Sequence, residues 1–128
     1  MQIRDATADD VAALGALADE EVDAARLVRD RSVRVAVEDS AVTGFVAYDT
    51  WRGAVHVTRL AGDPDAVHEL LDAPCEFAVS EAVPVEAVLV EGDALAGVLK
   101  DAGFEDVGPG PAFDGEQTRR YRCQSPAE

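Results

Sequence analysis

Apolar and polar positions alternate from Ser32 to Glu38, where Val33, Val35 and Val37 are interleaved with Arg34, Ala36 and Glu38. A period of two predicts a strand. Gln2 to Ala6 reads as a short strand before it and Val42 to Tyr48 as a strand after it. With a turn over Glu38 to Ala41, the stretch is expected to fold as an antiparallel hairpin. Asp49 to Gly53 breaks the pattern and Ala54 to Leu60 supplies a further strand. Between the first two strands the spacing changes, because Val11, Leu14, Ala18, Val22 and Ala25 recur three or four apart. That spacing predicts one helix with a single apolar face, ending near Asp30. Thr7 to Asp10 opens it with a pattern close to a capping box, and acids there suit the helix dipole.

Gly62, Asp63 and Pro64 mark a loop, after which Val67, Leu70 and Leu71 give Asp65 to Asp72 helical spacing. Pro74 is expected to kink or end that helix, with Cys75 to Ala82 resuming it. Val85 to Val90 is nearly continuous apolar sequence, the pattern of a strand buried on both faces. Ala94 to Ala102 reads as a short helix stopped by Gly103, and Thr118 to Cys123 as the last strand, with another around Val107. The order β, α, β, β, β, α, β, α, β predicts one α/β domain over residues 1–123 with a sheet of mixed direction. Gln124 to Glu128 is left as a loose tail.

Composition narrows the function. A chain of 128 residues fits a single core, and 26 acids against 11 bases give a net charge of −15. Such a field opposes approach to a phosphate backbone, so nucleic acid is not expected as a partner. Lys100 is the sole lysine. An acidic, lysine-poor surface is expected of a halophilic protein, where screening over about 3 Å removes the self-repulsion. No apolar run approaches the roughly 20 residues of a membrane span, and Met1 to Asp10 has no apolar signal region, so the expected location is the cytoplasm. Cys75 and Cys123 are expected to be free thiols, as in most cytosolic chains.

Three strings in order resemble the GNAT acyltransferases. Ile3-Arg4-Asp5-Ala6-Thr7 with Asp9-Asp10 is similar to that family's first strand and helix start. Val35-Ala36-Val37-Glu38-Asp39 followed by Val42-Thr43-Gly44-Phe45-Val46-Ala47-Tyr48 resembles its second and third strands. Leu99-Lys100-Asp101-Ala102-Gly103-Phe104-Glu105 resembles its last helix running into a Gly-Phe pair. The resemblance spans 2–50 and 83–108 and implies a mixed, mostly antiparallel sheet flanked by helices. It also implies acetyl transfer from acetyl-CoA to an amine, borne by a small molecule or a protein.

The cofactor's diphosphate is usually held in that family by a Gln/Arg-x-x-Gly-x-Gly/Ala loop, whose backbone N–H groups attract anions. The corresponding stretch is Arg59-Leu60-Ala61-Gly62-Asp63-Pro64. Arg59 and Gly62 match, while Pro64 removes a donor and Asp63 adds a repelling charge, about 4 kcal/mol for a pair near 4 Å at an effective dielectric of 20. Val57, Arg59, Leu60 and Gly62 are the implied cofactor-binding positions. Leu99 stands where the family often has a tyrosine that protonates the departing thiolate, which leaves Tyr121 or Tyr48 as an acid. For the base that takes the amine proton, Glu91 at the end of the buried strand and His56 on the strand before the loop are the candidates.

Asp65, His68 and Asp72 have metal-like helical spacing, which a solvated acidic face produces equally well, and no metal is expected. Arg119, Arg120 and Arg122 form the one basic cluster, with Arg120 and Arg122 on one strand face and Arg119 on the other. Phe77 is expected in the core. Two functions follow: an acetyl-CoA-dependent N-acyltransferase, or a GNAT-fold module that binds or regulates without catalysis. Whether the strands ending at Arg59 and Val90 part or stay zipped discriminates between them.

Overall fold

A computed structural model describes residues 1–17, 24–112 and 115–123. Seven strands form one sheet in the order β1-β2-β3-β4-β5-β7-β6. They are β1 Gln2–Asp5, β2 Ser32–Glu38, β3 Ala41–Trp51, β4 Ala54–Gly62, β5 Val85–Val90, β6 Glu105–Pro109 and β7 Thr118–Cys123. Every neighbouring pair is antiparallel except β4 and β5. The turn between β2 and β3 places Asp39 and Ser40 at φ 53° and 68°, the doubly left-handed turn that matches strand twist.

Helices α1 (Val11–Leu17) and α2 (Ala24–Asp30) cover one face of β2 and β3, burying Leu14 and Ala24 against Val33, Val35, Phe45 and Ala47. Both lie within the span of the single helix expected to end near Asp30, and Ala18 and Val22 of its predicted apolar face lie outside the described residues. The predicted tail, 124–128, lies outside them too. On the other face α3 (Pro64–Leu70), α4 (Asp72–Glu81) and α5 (Leu95–Asp101) bury Val67, Leu70, Leu71, Ala78 and Leu99 against Val46, Val55, Val57 and Tyr121.

The break between α3 and α4 falls at Leu71, before Pro74 rather than at it. Pro74 thereby sits in the first turn of α4, where a backbone N–H has no intrahelical partner to lose. This break also divides Asp65 and His68 from Asp72, and among the described residues no three His, Cys, Asp or Glu converge as metal ligands. At the end of α5 the N–H of Gly103 donates to Lys100 and that of Phe104 to Leu99, a Schellman closure with Gly103 at φ 98°.

Two expectations of burial are corrected. Val88 is 45% exposed, because α1 and α2 lie over β2 and β3 and leave one face of β5 open. Phe77 is 40% exposed at the rim of α4, whose buried positions are Pro74 and Ala78. Cys75 and Cys123 are thiols not joined by a disulfide, within hydrogen-bonding reach of each other, and burial pushes the Cys75 thiol up to about 12.

The capping box at Thr7 forms as the sequence predicts. Asp10 is buried, accepts the Thr7 N–H at 2.8 Å and accepts from Nη1 and Nη2 of Arg4 at 2.8 and 3.0 Å. Hydrogen bonding to Arg4 holds the Asp10 carboxyl below the usual carboxylate range. The unfolded chain therefore takes up this proton first as pH falls. Stability from Asp10 is present above the ordinary carboxylate range and lost as pH drops through the lowered folded value. Asp10→Asn is expected to cost about 2 kcal/mol at neutral pH, with the gap to wild type closing in acid, as read from urea midpoints.

Candidate functional site

The site begins where β4 and β5 stop pairing. Their parallel register covers only Val55 with Val85, His56 with Glu86 and Val57 with Ala87. The register of β3 against β4 shifts at the same place: Tyr48 faces Val57 and Ala47 faces Arg59. Thr58 is thus the extra residue of a bulge, its hydroxyl donating to the Ala47 carbonyl at 3.2 Å. A bulge bends its strand, and the two strands part beyond this seam. The opening is a cleft of about 390 Å³, walled by β4 through Leu60 and β5 through Val90 and bordered by Asp93, Pro111, Ala112 and Thr118.

Of the residues implied for cofactor binding, Val57, Arg59 and Leu60 line this cleft. Gly62 lies at the turn into α3 with φ 126°, its Cα packed on Gly44 and the Thr43 carbonyl. Across that turn the Asp63 N–H donates to Thr43 at 3.0 Å and Pro64 has none. Two donors of an anion-holding turn are thus committed or missing. The Asp63 carboxylate makes no capping bond.

The candidate bases are placed differently. His56 lines the cleft, half-buried, its Nε2 3.0 Å from the Trp51 carbonyl. A carbonyl only accepts, so Nε2 carries a proton and Nδ1 is the ring nitrogen turned away from that carbonyl. Nδ1 lies 3.9 Å from Oε1 of Glu86. Glu91 is exposed just past β5, its N–H donating to Gln117 at 2.9 Å, and it is outside the cleft lining. Tyr121 is 5% exposed in the core, with its hydroxyl pushed up by burial, and Tyr48 is buried on the same side. Leu99 is fully buried.

Glu86, Asp93 and Thr118 were not singled out by sequence reading. Glu86 sits beside His56 because the parallel register puts residues 56 and 86 side by side, and Arg122 completes that row from β7. Period-two patterning shows which residues share a face within a strand, but the register between distant strands is absent from it. Thr118 is buried and donates to the Pro111 carbonyl, fixing the chain segment that borders the cleft.

No protein-family model matches the chain, and no curated protein sequence does. Solved structures do match across nearly its whole length. A ribosomal-protein-alanine N-acetyltransferase from Brucella melitensis is 21% identical, with 95% of this chain and 98% of that one covered at a TM-score of 0.74. An aminoglycoside 6'-N-acetyltransferase from Enterococcus faecium is 12% identical, covering 95% and 96% at 0.72. A GNAT family acetyltransferase from Elizabethkingia anophelis, solved with acetyl-CoA bound, is 11% identical, covering 96% and 97% at 0.72. At these identities the likeness is one of fold.

Proposed function

We propose that this chain, which has the fold of the GNAT acetyltransferases, transfers an acetyl group from acetyl-CoA to the amine of a small molecule or protein. The observation that carries the reading is the seam that ends at Val57 and Ala87. A zipped pair would leave no channel, whereas the parted strands offer a cleft with backbone polar groups along facing edges.

Acetyl-CoA supplies the acetyl group as an activated thioester. Val57, Arg59 and Leu60 would hold its arm along β4, and Gly62 keeps the β4 to α3 turn tight. His56 accepts the proton of the attacking amine at Nδ1, oriented by the Trp51 carbonyl. With Leu99 buried, the proton for sulfur comes from water entering the open cleft. The acidic, lysine-poor composition supports a setting of high salt. Among the described residues no helix is long and apolar enough to cross a membrane.

The turn at Asp63 and Pro64 favours the second reading, a module of the same fold that no longer takes acetyl-CoA. Calorimetric titration of acetyl-CoA into protein in about 2 M KCl separates the two. Saturable binding, weakened by Arg59→Ala, is the expected result. Absence of both heat and thermal shift at millimolar ligand would remove the acetyl-CoA site and with it the acyltransferase reading.

A further inference from the structure

On the open face of β4, β5 and β7, Glu86 stands among three nitrogen-bearing side chains. Nδ1 of His56 lies 3.9 Å from its Oε1, Nη2 of Arg120 3.7 Å from the same oxygen, and Nε of Arg122 3.7 Å from Oε2. All three distances exceed a hydrogen bond. Nε of Arg122 is moreover the one buried side-chain polar atom without a hydrogen-bond partner among the described residues. Two guanidiniums face Glu86, and Arg122 also has Glu105 opposite it in the β6 to β7 ladder, in a chain of net −15. The Arg119 guanidinium is not part of this group, since it is spent on Asp106 at 2.9 and 3.0 Å.

We infer that Arg120 anchors a carboxylate carried by the acceptor, so that the substrates are small amines bearing a carboxylate at the far end. The inference rests on the acyltransferase reading. Arg120 is the more exposed of the two guanidiniums, with 47% of its side chain accessible against 39% for Arg122. Turning Arg120 to a ligand leaves Glu86 to close on Nε of Arg122, so each charge keeps a partner and the buried nitrogen gains one. The planar fork of arginine fits a carboxylate. His56 Nδ1 and Arg120 Nη2 flank the same Glu86 oxygen and so lie within about 8 Å of each other. One short molecule therefore reaches both, with its amine on His56 and its carboxylate on Arg120.

Trp51, the chain's single tryptophan, packs edge-on to His56 at 5.6 Å and reports binding by fluorescence without any cofactor. Titration with 6-aminohexanoate and with 1-aminohexane compares one aliphatic amine with and without the carboxylate. About tenfold or more tighter binding of the amino acid is expected, lost in Arg120→Gln and partly kept in Arg120→Lys. Equal binding of the two amines, no fluorescence response to either, or a preference that survives Arg120→Gln would overturn the inference. Thiol release from acetyl-CoA with the same pair of amines is the second arm. Carboxylate preference in fluorescence without acetyl-CoA turnover would remove the acyltransferase reading and retain the anion site, whereas turnover without preference would do the reverse.

Discussion

Gly62→Ala is expected to destabilise the protein by at least about 3 kcal/mol, the sum of a left-handed backbone imposed on a side chain and a clash in a packed turn. At φ 126° a β-carbon on residue 62 would lie 2.3 Å from the Gly44 Cα and 2.4 Å from the Thr43 carbonyl oxygen. Both neighbours are backbone held in the β3 to β4 ladder, so neither swings aside. Gly53 supplies the control: its φ is 76°, yet nothing lies within 4 Å of the added carbon. Gly53→Ala is therefore expected to cost only about 1 kcal/mol. In thermal melts the Gly62 variant should fall by about 10 °C or more and the Gly53 variant by about 3 to 5 °C. Similar melting of the two variants would show that β3 and β4 relax apart at the turn.

His56→Gln is expected to lower the rate of acetyl transfer by about a hundredfold to ten-thousandfold, with the affinity for acetyl-CoA unchanged. Glutamine retains a hydrogen-bond donor for the Trp51 carbonyl but has no basic nitrogen. The side chain is 29% exposed, so the fold should tolerate the change. Glu91→Gln makes the contrast, since Glu91 is exposed and outside the cleft lining. Single-turnover assays of both variants decide the assignment: loss in Glu91→Gln with His56→Gln unaffected would move the base to the end of β5.

The strands and their order were legible because side-chain period is a local property. Val33, Val35 and Val37 declare β2 without reference to the rest of the chain, and Gly103 before Phe104 declares the end of α5. Burial beyond nearest neighbours was not legible. Val88 has the composition of a doubly covered strand, but whether a helix lies over it depends on where α1 and α2 settle, two strands away. Phe77 differs from a core phenylalanine only by the rotation of α4. At the site, the family resemblance brought out Arg59 and Gly62, and the strand before that loop brought out His56. Glu86 looked like one of 26 acids until the register set it beside His56 and Arg122. The bulge at Thr58 left no mark either, because an extra residue in a ladder is defined by its partner strand.

The short parallel seam also sets the order in which the chain can assemble. Strands β2, β3 and β4 pair each with the next along the chain, so this three-stranded meander closes through short turns, while β1 joins β2 across α1 and α2. It can form as soon as Gly62 has emerged from the ribosome. The other half is held to it by three residue pairs across a crossover, the kind of contact that forms slowly because loop entropy must be lost first. A growing chain therefore carries this three-stranded meander with an open edge at β4 until β5 arrives. The same edge that the mature fold leaves half unpaired is thus, during synthesis, the surface at which a second nascent chain could add a strand in error.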